Sequence, residues 1–235
     1  MAKEGAVLLS CDYSQIELRI LAHLSGDENL IKAFRDDLDI HTHTASLIFG
    51  VKEEDVTLRM RDQAKTVNFG INYGMSPYGL SKSLGIDVDE AAEFIDAYFA
   101  KYPKVKEYIA NQIEIARSRG YVTTLFKRRR YIPEINNQNR IIREFAERSA
   151  INTPVQGSAA DLIKLAMIHI DRILRMKRLK TKMILQVHDE LVFEVPKVEL
   201  SIVETIVKEK MEKAVELKVP IKVKIKVGRN WFEAK

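Results

Sequence analysis

Short apolar runs lie near the two ends of the chain, and helical periodicity fills the middle. Residues 6–11, 183–187 and 191–195 are apolar runs of strand length, while residues 221–227 alternate apolar side chains with lysines. Strict alternation indicates a strand with one buried and one solvated face. The two-residue connection 188–189 predicts a hairpin. The pattern therefore predicts an α+β fold, with a small antiparallel sheet assembled from both chain ends.

Helices are predicted between these strands. Ser14 is the expected N-cap of a helix that runs to about Leu24, with Glu17 at the capping-box position. Further helices are expected at about 27–35 and 198–215. From about residue 40 to 119 the helical pattern is interrupted by glycines and prolines, which punctuate local structure. These breaks are Gly50, Gly74 to Pro77, Gly85 and Pro103, with Gly120 at the end.

A last helical stretch covers about residues 138–176, with expected interruptions at Pro154 and Gly157. Before it, the run Lys127–Arg130 precedes Pro133. Such a basic run is usually a solvated face, although contact with DNA is an alternative.

Composition narrows the class of protein only slightly. The chain has 235 residues, 46% hydrophobic and 30% charged, which is ordinary for a globular protein. A net charge of +5 is compatible with a polyanionic partner but not diagnostic of one. Cys11 is the single cysteine, so an intrachain disulfide and a cysteine-based zinc site are excluded, and a buried apolar role is expected. No run reaches the length of a membrane span, so we expect no membrane association and a cytoplasmic location.

Two acids follow apolar runs that are far apart in sequence. Asp12 comes after the first predicted strand, and Asp189 lies in the predicted hairpin turn. An acid at a strand end can hold a metal ion against a substrate. The pair predicts a divalent-metal site built from two neighbouring strands.

The helix predicted from Leu58 to Tyr73 has a distinctive face. At 100° per residue, a stripe about 120° wide contains two cations followed by two aromatic rings. A solvated face of an ordinary amphipathic helix would explain the cations but not the rings. A ligand with a polyphosphate and an aromatic base would use all four side chains. The stripe contains Arg61, Lys65, Phe69 and Tyr73, and the opposite apolar side contains Met60, Ala64, Val67 and Ile71.

Three further features of the sequence are less specific, and each allows more than one interpretation. Arg148, Asn152 and Gln156 are spaced by four, and their side chains suit either base edges and sugars or a solvated polar face near a proline. His41 and His43 are two apart on a predicted helix and point in different directions, so a metal-binding pair is not favoured. Without other information, Glu190 in a hairpin would be a solvated acid.

These segments together resemble the motifs of the family A (Pol I-like) DNA polymerases. Asp12–Arg19 resembles motif A, Arg61–Gly74 resembles motif B, and Gln186–Glu190 resembles motif C. The stretch Arg148–Asp161 is similar to the family's palm helix. The resemblance runs in the family's order from about Gly5 to the C-terminus, and several long motifs in that order argue strongly against a chance match.

The resemblance implies a division into palm and fingers. It places a first part of the palm at residues 1–38, the helical fingers at 39–138 with the motif B helix at about 58–73, and a second part of the palm at 139–235.

It also implies a reaction, template-directed DNA synthesis. A dNTP would be joined to the 3′-hydroxyl of a primer on primer–template DNA, with release of pyrophosphate and with two Mg²⁺ ions as cofactors, for which Mn²⁺ would substitute. The protein would be nucleoid-associated. The implied catalytic residues are Asp12, Asp189 and Lys65; the metal ligands Asp12, Asp189 and the Tyr13 carbonyl; the nucleotide-binding residues His41, Arg61, Lys65, Phe69, Tyr73, Glu17 and Gln15; the DNA-binding residues Arg148, Asn152, Gln156 and His188; and the auxiliary acid Glu190.

The resemblance begins almost at motif A, whereas family members carry the rest of the palm, a thumb and usually an exonuclease domain upstream. We therefore expect a split or truncated polymerase, completed by a second polypeptide with the thumb and the remaining palm. Asp62 is a further departure, because many relatives have a basic residue there. The alternative function is a non-catalytic DNA-binding or assembly remnant of the palm and fingers.

Overall fold

A computed structural model describes residues 1–234, and the chain divides into two compact units. The sheet unit combines Met1–Ile16 with the chain from Ala159 onward, and the helical unit is Glu17–Ser158. These boundaries differ from the palm and fingers boundaries expected after residues 38 and 138, which stay a prediction.

The secondary structure is the α+β arrangement that the sequence predicts. Among residues 1–234, no helix is both long and apolar enough to cross a membrane. The strands are β1 (Ala6–Tyr13), β2 (Tyr121–Thr123), β3 (Arg129–Tyr131), β4 (Lys182–Val187), β5 (Glu190–Pro196) and β6 (Val223–Gly228). The helices are α1 (Ile16–Ser25), α2 (Glu28–Arg35), α3 (Ile40–Phe49), α4 (Leu58–Asn72), α5 (Pro77–Leu84), α6 (Val88–Lys101), α7 (Pro103–Arg119), α8 (Arg140–Met176) and α9 (Leu200–Glu212).

The sheet unit contains a four-stranded antiparallel sheet in the order β4-β5-β1-β6. Strand β1 is therefore central and pairs with strands from the other end of the sequence, which confirms the predicted assembly. Its side chains alternate between the two faces of the sheet. Cys11 is fully buried, and burial raises the pKa of its thiol to about 12, with the charges of Glu204 and Glu190 adding to the effect. It is the buried apolar residue expected from the sequence.

Most helix ends in the helical unit lie where glycine and proline predict them. Gly50, Gly85 and Gly120 cap α3, α5 and α7 in the left-handed conformation, which glycine adopts without steric penalty. Pro77 and Pro103 begin α5 and α7, where a missing N–H costs no hydrogen bond.

The start of α1 differs from the prediction. The helix begins at Ile16, two residues after the expected N-cap Ser14. Gln15 has φ +54°, and this left-handed residue separates β1 from α1. Strand β1 is also longer than expected, so that Asp12 lies within the strand and not after it. Helix α9 is shorter than expected, because its predicted first residues form a 3-10 turn at Lys197–Glu199.

Helix α8 is continuous over 37 residues, so the interruptions predicted at Pro154 and Gly157 are wrong. Side-chain hydroxyls bond main-chain carbonyls on either side of the proline: Thr153 Oγ1 donates to Ser149 O, and Ser158 Oγ donates to Pro154 O. Gly157 is a packing residue, because a Cβ there would lie 2.6 Å from Cγ2 of Thr124. Tertiary packing therefore overrides the local breaking tendency of both residues.

The sequence also failed to predict the β2–β3 hairpin, whose second strand begins within the basic run. Tyr121 pairs with Tyr131, and Thr123 pairs with Arg129. The side chains of Lys127–Arg130 are all exposed, as expected for a solvated face.

Candidate active site

Asp12 and Asp189 meet at one end of the sheet. Asp12 on β1 lies opposite Glu190 on β5 in the antiparallel register. The Tyr13 N–H donates to the Asp189 carbonyl at an N–O distance of 3.2 Å, which places Asp189 next to the residue that follows Asp12. The structure thus brings together two acids that are far apart in sequence: Asp12 lies within β1, and Asp189 lies in the turn that precedes the neighbouring strand β5.

Burial and neighbouring acids make the ionised form of Asp12 unfavourable. Burial raises the pKa of Asp12 to about 6, and the charges of Asp189 and Glu190 add to the effect. Lys224, the cross-strand partner of Asp12 on β6, opposes it. Crowded carboxylates favour either a shared proton or a bound cation.

The donor set fits a divalent cation. Magnesium takes one or two carboxylates and fills its remaining positions with water and substrate phosphate oxygens. Asp12 and Asp189 provide two such carboxylates, and a cation would offset both the burial and the neighbouring negative charges that raise the pKa of Asp12. Among residues 1–234, no group of three or more His, Cys, Asp or Glu side chains is arranged to hold a metal ion.

Glu190 is not the solvated acid that its hairpin position suggests. It is only 8% exposed. Ser10 Oγ and Trp231 Nε1 both donate to its Oε1, at 2.6 and 2.9 Å. Sequence reasoning missed Ser10 and Trp231, because neither lies in a recognisable motif and Trp231 is 41 residues from Glu190.

The hairpin turn between β4 and β5 is tightly specified. His188 is exposed and has φ +51°, and Gln186 Nε2 donates to its carbonyl at 2.8 Å. This bond helps to fix the backbone immediately before Asp189.

In the helical unit, α4 has the two faces that the sequence predicts. Ala64, Val67 and Ile71 are buried, and Met60 is half-buried. The opposite stripe is accessible: Lys65 is exposed, whereas Arg61, Phe69 and Tyr73 are half-buried. Phe69 and Tyr73 stack with their ring centroids 6.4 Å apart.

Arg61 is paired with an acid on the neighbouring helix. Its Nε and Nη2 atoms each lie 2.9 Å from Asp39 Oδ2. Asp39 also caps α3 by accepting from the N–H groups of His41 and Thr42. Burial alone would raise the pKa of Asp39, but these hydrogen bonds and the Arg61 charge outweigh it and lower the pKa.

His41 lies next to this cationic stripe and is only 3% exposed. Burial lowers its pKa to about 4, and the charges of Arg61 and Lys65 lower it further against the opposing charge of Asp39. Asn68 Nδ2 donates to His41 Nδ1 at 3.1 Å, so the neutral ring carries its hydrogen on Nε2. His43 instead contacts Glu53 at 2.6 Å, so the two histidines face different partners.

Tyr73 is held by an acid from α1. Its hydroxyl donates to Glu17 Oε2 at 2.8 Å, and Asn72 Nδ2 donates to the same oxygen at 3.1 Å. Glu17 and Tyr73, which the motif resemblance assigned separate roles, are therefore direct partners in this structure.

The second polar stripe shares one cavity with Tyr73. Arg148, Asn152 and Gln156 on α8 line a cavity of about 500 Å³ within the helical unit. The Oδ1 atom of Asn152 is buried and lacks a hydrogen-bond partner among the described residues. The cavity is thus lined by aromatic, cationic and amide groups, which suit stacking and hydrogen bonding to a nucleobase.

Comparisons with known proteins agree with these motifs. A family model described as DNA polymerase family A matches residues 1–233. DNA polymerase I of Caldicellulosiruptor bescii is 58% identical over 231 residues, which cover 98% of this chain and 27% of the relative. DNA polymerase I of Geobacillus stearothermophilus is 56% identical over 229 residues, covering 97% of this chain and 26% of the relative.

A solved structure has the same fold. The POL domain of Pol1 from M. smegmatis, in complex with DNA primer-template and dNTP, matches with a TM-score of 0.96 and 44% identity, over 99% of this chain and 41% of that one. The chain spans about a quarter of the length of the curated relatives named above. The chain belongs to DNA polymerase family A.

Proposed function

We propose that this chain carries out template-directed nucleotidyl transfer from a dNTP to a primer 3′-hydroxyl, with release of pyrophosphate. One observation carries the proposal: the strand register places Asp12 opposite Glu190, and the Tyr13 N–H bonds the Asp189 carbonyl, so that the two acids of the motifs meet at one end of the sheet. Family membership supplies the reaction class. Members of the family generally use divalent metal ions.

In this proposal Asp12, Asp189 and the Tyr13 carbonyl hold two Mg²⁺ ions, for which Mn²⁺ substitutes. Bound there, divalent cations would lower the pKa of the attacking hydroxyl and neutralise charge on the phosphates. The protein's contribution is to keep two carboxylates close together in a defined register, at an electrostatic cost that the raised pKa of Asp12 records.

The proposed triphosphate ligands are on α3 and α4. Arg61 and Lys65 provide positive charge, and His41 can donate from Nε2 while remaining neutral at pH 7, because its pKa is lowered to about 4. Lys65 would also give a proton to the leaving pyrophosphate. Asp39 contacts the Nε and Nη2 atoms of Arg61, so a phosphate oxygen would compete with Asp39 for these donors.

The remaining side chains would select and position the nucleotide and the DNA. Phe69 would pack on the sugar and base, while Glu17 would lie under the ribose and disfavour a 2′-hydroxyl. Tyr73 would leave its stacked position as the template base enters. The proposed DNA contacts are Arg148, Asn152, Gln156 and His188, and Gln15 would complete the nucleotide site.

A second polypeptide with the thumb, and a cytoplasmic, nucleoid-associated location, stay predictions. Primer extension by this chain alone, compared with extension by a mixture with the partner, tests the former. Equal extension by the chain alone would contradict it.

Mg²⁺-dependent primer extension with Asp12→Asn and Asp189→Asn variants tests the proposed function. Each substitution removes one carboxylate charge, and we expect activity to fall by about 10³-fold, equivalent to about 4 kcal/mol of transition-state stabilisation. Asp171→Asn is the matched control, because Asp171 is exposed on α8 and paired with Arg175. Activity that survives both active-site substitutions would contradict the assignment of Asp12 and Asp189 as metal ligands. A wild-type chain that binds DNA but extends no primer, even with the partner present, would favour the alternative, a non-catalytic DNA-binding remnant.

A further inference from the structure

Glu190 is held by two donors from opposite ends of the chain. Ser10 Oγ and the Trp231 indole N–H both bond its Oε1 atom, and neither occupies Oε2. Hydrogen bonds to an ionised carboxylate are roughly twice as strong as neutral ones. The pair therefore fixes one oxygen of Glu190, the residue that lies opposite Asp12 in the strand register.

The C-terminal turn that carries Trp231 is anchored on the sheet. Ala234 is fully buried against Leu8 and Val192, and the Ala2 N–H donates to the carbonyl of Arg229 at 2.8 Å. Leu8 lies on the same face of β1 as Ser10 and Asp12, because alternate residues share a face.

The approach of this turn to the sheet is close. A Cβ on Gly228 would lie 2.6 Å from Cβ of Glu233 and 2.7 Å from the Ala234 nitrogen. Glu233 also accepts from Arg229 N at 2.8 Å and from Asn230 Nδ2 at 2.6 Å. The indole is thus presented by an ordered turn and not by a loose end.

We propose that Ser10 and Trp231 are positioning residues for the carboxylate site, acting through Glu190. This inference rests on the proposed function, because it assigns them to the metal-binding step of the same site. By fixing Glu190 next to Asp12, they place a third negative charge where it strengthens cation binding by the Asp12–Asp189 pair. Partners of this kind typically change metal affinity or activity by about 10- to 100-fold.

The single tryptophan of the chain provides a direct test. Trp231 gives the only indole N–H resonance in a ¹⁵N-labelled sample. Glu190→Gln should shift this resonance, because it replaces a charged acceptor with a neutral one, and Mg²⁺ alone should shift it in the wild-type protein.

Metal affinity provides a second test that does not depend on activity. Free Mn²⁺ measured by electron paramagnetic resonance should show about tenfold weaker binding to Trp231→Phe, which keeps an aromatic ring but loses the N–H. Phe232→Ala is the matched control, since Phe232 is the next residue and is 93% exposed. Ser10→Ala should weaken binding in the same direction and serves as a second variant if Trp231→Phe unfolds.

In primer extension, Trp231→Phe should lower kcat and leave KM for the dNTP unchanged, because the proposed nucleotide-binding residues are elsewhere. An indole resonance that ignores Glu190→Gln, or wild-type Mn²⁺ affinity in both Trp231→Phe and Ser10→Ala, would overturn the inference. If the wild-type chain extends no primer, either alone or with the partner, while these variants still bind Mn²⁺ more weakly, the proposed function is overturned and the positioning role is left intact.

Discussion

The two groups of candidate residues are built on opposite principles. In the sheet unit, Asp12 and Glu190 are brought together by strand register and by burial. In the helical unit, Lys65 and Arg61 lie on an accessible helix face, and Arg61 is paired with Asp39. The sheet site therefore keeps charge crowded at an energetic cost, whereas the helix site keeps charge solvated. We therefore expect the relative sizes of the effects on activity and on stability to differ between substitutions in the two regions.

Within the helical unit, the largest expected effect is on activity. Lys65→Ala should lower kcat/KM for the dNTP by about 100-fold, because a cation and proton donor facing the triphosphate is lost. Since Lys65 is exposed, the free energy of unfolding should change by less than about 0.5 kcal/mol. Steady-state primer extension and urea unfolding measure the two quantities.

Lys52→Ala is the control, as it removes the same charge from an exposed position paired only with Glu54. Equal kcat/KM values for Lys65→Ala and Lys52→Ala would show that the stripe on α4 is merely a solvated face.

The second prediction concerns the stability of the folded protein at low pH. His41 has a pKa near 4 in the folded protein, below the value of about 6.5 in an unfolded chain. The unfolded state therefore binds more protons between these values, and stability is lost as the pH falls from 7 to 4. The contribution is on the order of 2 kcal/mol. In urea unfolding, His41→Gln should show a correspondingly weaker decline, and an unchanged decline would contradict a buried neutral histidine.

The sheet unit should respond to pH in the opposite direction. Without metal, the pKa of Asp12 is raised to about 6 in the folded protein, above about 3.9 when unfolded. The folded state then binds the extra proton, so stability falls as the pH rises from about 4 to about 6. In the presence of a chelator, Asp12→Asn should be more stable than the wild-type protein at pH 7 and similar to it at pH 4. An Asp12→Asn variant that is less stable than the wild-type protein at both pH 7 and pH 4 would contradict a raised pKa of Asp12.

The smallest expected effects are on stability, and they distinguish the two roles of Asp39 as the cap of α3 and as the partner of Arg61. Asp39→Ala removes both the α3 cap and the Arg61 pair, and should cost about 1 kcal/mol of stability. Asp39→Asn keeps a capping oxygen and should cost only a few tenths of that, because half-exposed ion pairs contribute little. Thermal unfolding of both variants checks the difference, and equal losses would show that the ion pair dominates.

The sequence predicts the helix ends and the motif residues far better than the contacts that support them. Gly50 and Gly85 end helices for a local reason, since left-handed backbone favours glycine. Pro154 misleads because its effect is decided by hydroxyl contacts and by packing around α8. Trp231 could not be predicted, because its bond to Glu190 exists only once β1, β5 and the C-terminal turn have assembled.

The bond between Tyr73 and Glu17 means that the Glu17 carboxylate has two competing partners, the tyrosine and the proposed sugar. In this structure the Tyr73 hydroxyl already occupies Glu17 Oε2. A sugar that bonds this same oxygen, as proposed, must first break that bond, and its free energy is subtracted from the observed affinity for the nucleotide. By thermodynamic linkage, a nucleotide that takes this oxygen in turn releases Tyr73. Sugar selection and movement of Tyr73 then depend on the same equilibrium, in which Glu17 Oε2 bonds either the Tyr73 hydroxyl or the sugar.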